Sequence, residues 1–356
     1  MGAPDLFEEL RTIAFDAGLV ALGVARAEPF PETRTTLVQR KAEGLHGGMQ
    51  FTYRNPERST DPQRLLSDAR SLVVGAWPYA AGEPSSSFIE GPAGRVARYA
   101  VADYYGALRA ALDVVADRLQ KDGHSTKVVI DDNGLVDRAA AHRAGIGWWG
   151  KNSNLLIPGA GSWVVLGAIV TDAELSESRP LDDGCGTCRR CLDGCPTQAI
   201  IAPGVLDARK CLAWLVQTEG SFPVEFREAL GDRIYGCDDC QEVCPPSRRS
   251  PQSELPIDGK NAWVDLVEMI RATDEELLAR HGRWYIAKRD PRFLRRNALI
   301  GIGNTAEVDD VSIRLLLTSV AEGTDDLLAE HAAWALQRLN QRAANEQPDP
   351  ARTLNS

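Results

Sequence analysis

The sequence predicts three regions in series: an α/β N-terminal region over residues 1–175, a small ferredoxin-like region over 176–255 and an α-helical, HEAT-like C-terminal region over 256–356. Three observations predict it. β-Branched runs alternate with helical periodicity in the first half. All eight cysteines fall between residues 185 and 244. An Ala/Leu helical pattern recurs in the last hundred or so residues.

In the first region, residues 6–17 read as a helix, and residues 71–76 (SLVVGA), 127–130 (KVVI) and 162–170 (SWVVLGAIV) read as buried strands. Over residues 103–122, Leu108, Leu112, Val115 and Leu119 recur at steps of four, three and four, one face of a helix that Gly123 stops. From 176 to 255 the periodicity fades and Gly, Asp and Pro gather round the cysteines. A core this poor in long elements needs a metal staple. Further on, Leu294, Ala298, Gly301 and Ile302 align with Leu328, Ala332, Ala335 and Leu336 at an offset of 34 residues, the size of a helix-pair repeat. Residues 345–356 are polar, contain two prolines and are expected to fray.

With 356 residues, 44% of them hydrophobic, the chain can bury two or three cores. Its longest apolar runs, such as residues 163–170, fall far short of the roughly 18 residues of a membrane span. The first residues, Pro4-Asp5-Leu6-Phe7-Glu8-Glu9, are acidic and lack the basic and apolar stretches of a signal peptide. A cytoplasmic protein with no membrane partner is expected, and there eight cysteines are metal ligands sooner than disulfides. The net charge of −10 argues against a general nucleic-acid coat. One local exception stands out: between residues 281 and 296, Arg283, Lys288, Arg289, Arg292, Arg295 and Arg296 face a single acid, Asp290. Either this is a solvated face with acidic partners such as Glu275 and Glu276, or it contacts phosphates, for which Arg is suited.

The cysteines follow a pattern. The first run is Cys185-x2-Cys188-x2-Cys191-x3-Cys195-Pro196; the second is Cys237-x2-Cys240-x3-Cys244-Pro245, with Cys211 alone upstream. The first is the ferredoxin signature, in which three thiolates of a run cap one [4Fe–4S] cube and the fourth turns to the neighbouring cube. That rule assigns Cys185, Cys188, Cys191 and Cys244 to one cluster, and Cys195, Cys211, Cys237 and Cys240 to the other. Two structural zinc sites are the alternative. The triple run and the two trailing Cys-Pro pairs weigh against them, and the chain is expected to carry two [4Fe–4S] clusters.

The clusters need an electron acceptor. The sequence has no P-loop, and its one G-x-G-x-x-G, residues 145–150, follows an Ala-rich helical stretch and not a strand, so no dinucleotide site is expected. The densest segments are residues 130–138 and 145–155. Asp131 falls just past a strand, where α/β sheets place ligands. The glycines at 145, 147 and 150 permit close backbone approach, and Trp148 and Trp149 offer flat apolar surface. Plainer readings stand beside these: Asp132-Asn133-Gly134 as a turn, the tryptophans as core, Asp137 and Arg138 as a helix-start pair, and Asp131 as an N-cap.

Residues 97–100 (ARYA), Asp131 with Asp137-Arg138, residues 145–156 (GIGWWGKNSNLL), both cysteine runs, residues 233–245 (RIYGCDDCQEVCP) and residues 295–304 (RRNALIGIGN) together resemble the epoxyqueuosine reductase family over nearly the whole length. The resemblance implies a cobalamin-binding α/β domain, a ferredoxin-like double-cluster domain and a HEAT-like tail that binds tRNA. It implies that electrons relayed through the clusters reduce cobalamin, and that epoxyqueuosine in the tRNA anticodon loop becomes queuosine. Asp131 matches the proton donor. Segments that touch cobalamin contain Arg58, Tyr99, Asp131, Lys151, Asn152, Asn154 and Leu155. The tRNA contacts expected are Lys288, Arg289, Arg295 and Arg296. An external low-potential electron donor and a monomeric state complete the expectation. The sequence departs from the family at residues 102–105 and 132–134, on pocket walls rather than on the metal framework. Two other functions share these features: a cobalamin-dependent reductase of a small molecule, and an electron carrier without a catalytic site.

Overall fold

β-Branched and small residues make the first sheet. Strands β1 (Ala21–Arg26), β2 (Ser71–Pro78), β3 (Thr126–Ile130) and β4 (Val164–Thr171) lie in the order β1-β2-β4-β3, every neighbouring pair antiparallel. In this computed structural model, which describes residues 6–83, 89–255, 257 and 259–346, they belong to the first of two compact units. That unit comprises Met1–Glu83, Ala102–Arg209 and Asp238–Pro256; the second comprises Pro84–Val101, Lys210–Cys237 and Ile257–Ser356.

In the first unit, helices α1 (Leu6–Asp16) and α2 (Tyr104–Lys121) lie together on one face of the sheet. Asp103 caps α2 by accepting from the Gly106 N–H at 2.9 Å, and Gly123, at φ +88°, ends it. Gly75 and Gly167 are cross-strand partners, and a Cβ on either would lie within 3.0 Å of Leu112. The missing side chains let α2 sit close to the sheet. Leu108, Leu112 and Leu119 are wholly buried there, each worth about 1.5–3 kcal/mol. On the opposite face, Leu72, Val74, Ala76, Ala168 and Val170 pack against Ala139, Ala140 and Ala141 of α3 (Asp137–Arg143).

Three expectations change. The sheet is antiparallel, so the unit is α+β and not α/β, and the rule placing ligands at parallel strand ends does not locate its site. β1 (ALGVAR) was absent from the expected strands because its Ala and Gly carry little β-branched signal. The chain also does not divide near residue 175, although a boundary does fall between residues 256 and 257, beside the expected one. Segment 176–255 is shared: Cys185, Cys188, Cys191, Cys195, Cys240 and Cys244 belong to the first unit, Cys211 and Cys237 to the second. Strand pairing is the physical reason, since Ala93–Val96 pairs in parallel with Arg233–Tyr235 and antiparallel with Trp263–Asp265.

That three-stranded sheet and a group of helices, α4 (Arg292–Thr305), α5 (Val311–Ala321) and α6 (Asp326–Glu346), form the second unit. The two copies of the Ala/Leu pattern fall on α4 and α6, which pack together; Ala298, Ile302, Ala332 and Ala335 are fully buried. Gly303 admits the Ala335 backbone, which a Cβ would meet at 2.9 Å. Of the end expected to fray, residues 345 and 346 continue α6 and residues 347–356 lie outside the described residues. Among the described residues no helix is long and apolar enough to cross a membrane.

Candidate functional site

The first cysteine run coils on glycine. Gly186 sits at φ +48°, Cys188 donates its N–H to the Cys185 carbonyl at 3.0 Å, and a short helix, Arg190–Asp193, follows. Cys244 stands at the start of another short helix, Pro245–Arg248. Cys185, Cys188, Cys191 and Cys244 line one cavity of about 210 Å³, which Lys151, Asn152 and Pro245 also line. None of the eight cysteines is in a disulfide.

The electrostatics of this cavity call for cations. Burial, then the neighbouring thiols of Cys244, Cys185 and Cys188, push the Cys191 thiol up to about 11. Burial also raises Cys244. Four thiols gathered at one cavity, two of them raised by burial, are suited to iron ions that supply the compensating charge. Cys195 does not line this cavity; its sulfur accepts the Ala199 N–H at 3.2 Å.

Lys151 and Asn152 frame the same cavity. The Lys151 ammonium donates to the carbonyls of Gly186 at 2.6 Å and Cys188 at 2.8 Å. Asn152, 5% exposed, donates to the Cys240 carbonyl at 3.3 Å and accepts from the Asn154 N–H at 3.2 Å. Trp148 lies against Gly184, where a Cβ would meet the indole at 2.7 Å, and its buried Nε1 has no hydrogen-bond partner among the described residues. Trp149 is 41% exposed beside His142.

Asp131 lies elsewhere in the first unit, immediately after β3, at φ +47°. A non-glycine residue rarely adopts this conformation, and such outliers cluster at functional sites. It is not an N-cap; Val136 holds that position for α3. Asp132 and Gly134 close the expected turn, with the Gly134 N–H donating to Asp132 Oδ1 at 2.6 Å. Ser59 fixes the loop by donating to the Asn133 carbonyl at 2.7 Å. Asp131 keeps access to solvent, but atoms packed around its carboxyl raise its pKa above the usual carboxylate range, and Asp137 and Asp132 add repulsion. Asn133 of this loop lines a cavity of about 460 Å³ with Phe51, Arg54, Asn55, Arg58 and Ser59.

The residues expected around cobalamin are therefore not all gathered. Arg58 joins the Asp131 loop at one cavity, whereas Lys151 and Asn152 line the cysteine cavity. Leu155 is 3% exposed in the hydrophobic core, so its side chain is packing. Tyr99 belongs to the second unit, half-buried against Tyr235 at 6.3 Å between ring centroids.

The expected tRNA contacts also divide. Arg296 is fully buried, and all its hydrogen-bond acceptors are backbone carbonyls or Asn297. Burial, and then Arg227, lower its pKa to about 9, which leaves it charged at neutral pH. The Arg295 side chain is 12% exposed and is held by Asp274 and the Ala272 carbonyl. Arg296 is corrected to a structural residue, because the helical turn places it on the packed side of α4. Lys288 and Arg289 are exposed, at consecutive positive φ values of 51° and 54°. Lys288 pairs with Glu219, and Arg289 donates to the Gly282 carbonyl at 3.2 Å.

The cysteine framework defines a double-cluster iron–sulfur protein: a model of the 4Fe-4S double cluster binding domain matches residues 184–247. A second model, epoxyqueuosine reductase QueG, DUF1730, matches residues 59–132. The chain is 34% identical over 353 residues to an epoxyqueuosine reductase of Xanthomonas campestris pv. campestris, covering 93% of this chain and 96% of that one. The crystal structure of an epoxyqueuosine reductase with a tRNA-Tyr epoxyqueuosine-modified tRNA stem loop superimposes with a TM-score of 0.84 at 30% identity, covering 98% of this chain and 96% of the other. A Bacillus subtilis epoxyqueuosine reductase, solved with its catalytic aspartate loop swung out of the active site, gives 0.83 at 29% identity, covering 98% and 96%. The chain belongs to the epoxyqueuosine reductase family, a family of oxidoreductases.

Proposed function

We infer that this chain reduces epoxyqueuosine to queuosine at the wobble position of tRNA, with cobalamin and two [4Fe–4S] clusters as cofactors. The observation that carries the reading is the full-length likeness to epoxyqueuosine reductases, one of them solved with the modified tRNA stem loop.

Removing the epoxide oxygen as water takes two electrons and two protons and leaves an alkene. Cobalamin, when bound, supplies a low-valent nucleophilic cobalt, and the clusters supply its electrons from an external low-potential donor. Asp131 is the general acid: its raised pKa keeps a proton available to the departing oxygen nearer neutral pH than an ordinary carboxylate would. Arg58, with Arg54, Asn55 and Asn133 on the same cavity, offers charged and amide groups for the polar periphery of the cofactor. Lys151 and Asn152 act through the cysteine loops that they hold.

Cys185, Cys188, Cys191 and Cys244 bind one cluster, a reading that their shared cavity supports. The other takes Cys195, Cys211, Cys237 and Cys240, as the spacing predicts. Lys288 and Arg289 contact tRNA phosphates. Their surface ion pair and single carbonyl bond are weak enough to exchange for phosphate, since exposed pairs are worth about 0–1 kcal/mol. The decisive experiment is mass spectrometry of nucleosides from epoxyqueuosine-containing tRNA incubated with the reduced holoenzyme. Queuosine should appear; tRNA recovered with its epoxyqueuosine intact would refute the assignment.

A further inference from the structure

We propose that Arg296 and Asn297 are the positioning pair for Cys211 and Cys237, two ligands that the preceding reading gives to one cluster. The proposal rests on that ligation, and every contact behind it lies within the second unit.

Cys211 stands at the start of the short helix Leu212–Leu215, where its carbonyl accepts the N–H groups of Trp214 and Leu215, each at 2.9 Å. The other end of that helix turns through residues 216–220, and its carbonyls need donors. Arg296 supplies them. Nη1 donates to the carbonyls of Thr218 at 2.8 Å and Gly220 at 2.7 Å, and Nη2 to those of Leu215 at 3.1 Å and Val216 at 3.3 Å. Nε and Nη2 also reach Asn297 Oδ1, at 3.1 and 2.9 Å. The guanidinium fork thus has all five donors engaged by one short stretch of chain and one amide.

Asn297 extends the grip to the second ligand. Its Nδ2 donates to the Val216 carbonyl at 2.8 Å and to the Ile234 carbonyl at 3.3 Å. Ile234 lies in the strand Arg233–Tyr235, three residues before Cys237. Cys237 itself packs against Leu212, Leu215, Val216, Phe222, Leu230 and Ile300, the apolar cluster beside this polar web. Two adjacent residues of α4 therefore tie together the segments that carry Cys211 and Cys237, which lie far apart in sequence.

The chemistry of Arg296 points beyond packing. A buried cation is costly unless something compensates it, and none of its hydrogen-bond partners here is a carboxylate. A [4Fe–4S] cluster held by four thiolates is an anion, two negative charges when oxidised and three when reduced, so it supplies the missing sign. Fixing the two thiol segments and offsetting the added electron are two effects of the same guanidinium.

The test compares anaerobically purified holoenzyme of wild type, Arg296→Lys, Asn297→Ala and Cys211→Ala. Iron content, electron paramagnetic resonance of the reduced clusters and their midpoint potentials are measured, with circular dichroism as the check on folding. Arg296→Lys keeps the charge but not the planar fork; Asn297→Ala is the milder variant and carries the test should Arg296→Lys not fold. We expect both to fall from about eight irons per chain toward about four, with one cluster signal unchanged and the other weakened and broadened. A folded variant with full iron and both signals and potentials unchanged would overturn the proposal, because a residue that merely packs the core alters stability and neither cluster. Were Cys211→Ala to keep all its iron and both signals, the ligation reading would fail first and the proposal with it.

Discussion

Lys151 holds Cys188 through the backbone: its ammonium donates to the Cys188 carbonyl at 2.8 Å and, in the same fork, to that of Gly186 at 2.6 Å. The cation thus braces the loop through its backbone, at the cavity that Lys151 and the thiols line together.

Lys151→Met keeps the apolar stem and removes both donors. Hydrogen bonds from a charged group contribute about 1.5–3 kcal/mol each. Iron release to a chelator should accelerate roughly tenfold or more, followed as bleaching of the visible absorbance. An unaltered release rate would mean that the loop holds itself.

Cys244 belongs to the second run in sequence but shares a cavity with three cysteines of the first. Cys244→Ala should therefore disturb the cluster of Cys185, Cys188 and Cys191. Resonance spectra of this variant beside Cys188→Ala should show the same signal affected. Two different signals would defeat the crossed arrangement.

Asp131→Asn keeps the shape and loses the acid. With cofactors retained, turnover should fall by roughly 10²–10⁴-fold. The folded-state pKa of Asp131 is raised, so activity that depends on its proton should be full at low pH and decline as pH rises through that value. The same ionisation costs stability as pH rises, a cost absent below the pKa of the unfolded chain. A single-turnover pH profile with no such limb would remove Asp131 from the step.

Lys288→Glu with Arg289→Glu tests the exposed basic turn. Binding of a tRNA stem loop should weaken, and its salt dependence should become shallower by about 0.7–0.9 per lost phosphate contact. Arg296→Glu cannot serve here: it would set a carboxylate among four carbonyls, and disturbing such a buried charge costs about 3–5 kcal/mol. Unchanged affinity and slope in the Lys288 and Arg289 variant would leave that turn a solvated surface.

Much of this was readable from the residues. The runs SLVVGA, KVVI and SWVVLGAIV mark three strands, and steps of three and four mark α2, because side-chain burial imposes those periods. Strand direction was not readable, since a strand buried on both faces has the same hydrophobic run in parallel and antiparallel sheets. Nor was the sharing of segment 176–255, which depends on Ala93–Val96 meeting partners far away in sequence. The burial of Arg296 is also readable, against its expected place among the tRNA contacts. The residue follows Phe293 by three and precedes Ile300 by four, the spacing of one buried helix face, and a charge on such a face is structural more often than it is a contact.

The interleaving of the two units sets an order of events during synthesis. Ala93–Val96 leaves the ribosome long before Arg233–Tyr235 and Trp263–Asp265, the strands that flank it. At about 5–20 residues per second the nascent chain waits roughly ten to thirty seconds with that strand uncovered. α4, which grips the stretches bearing Cys211 and Cys237, emerges later still. On the positioning proposed above, the stretches bearing those two thiols gain their grip only when translation is nearly done.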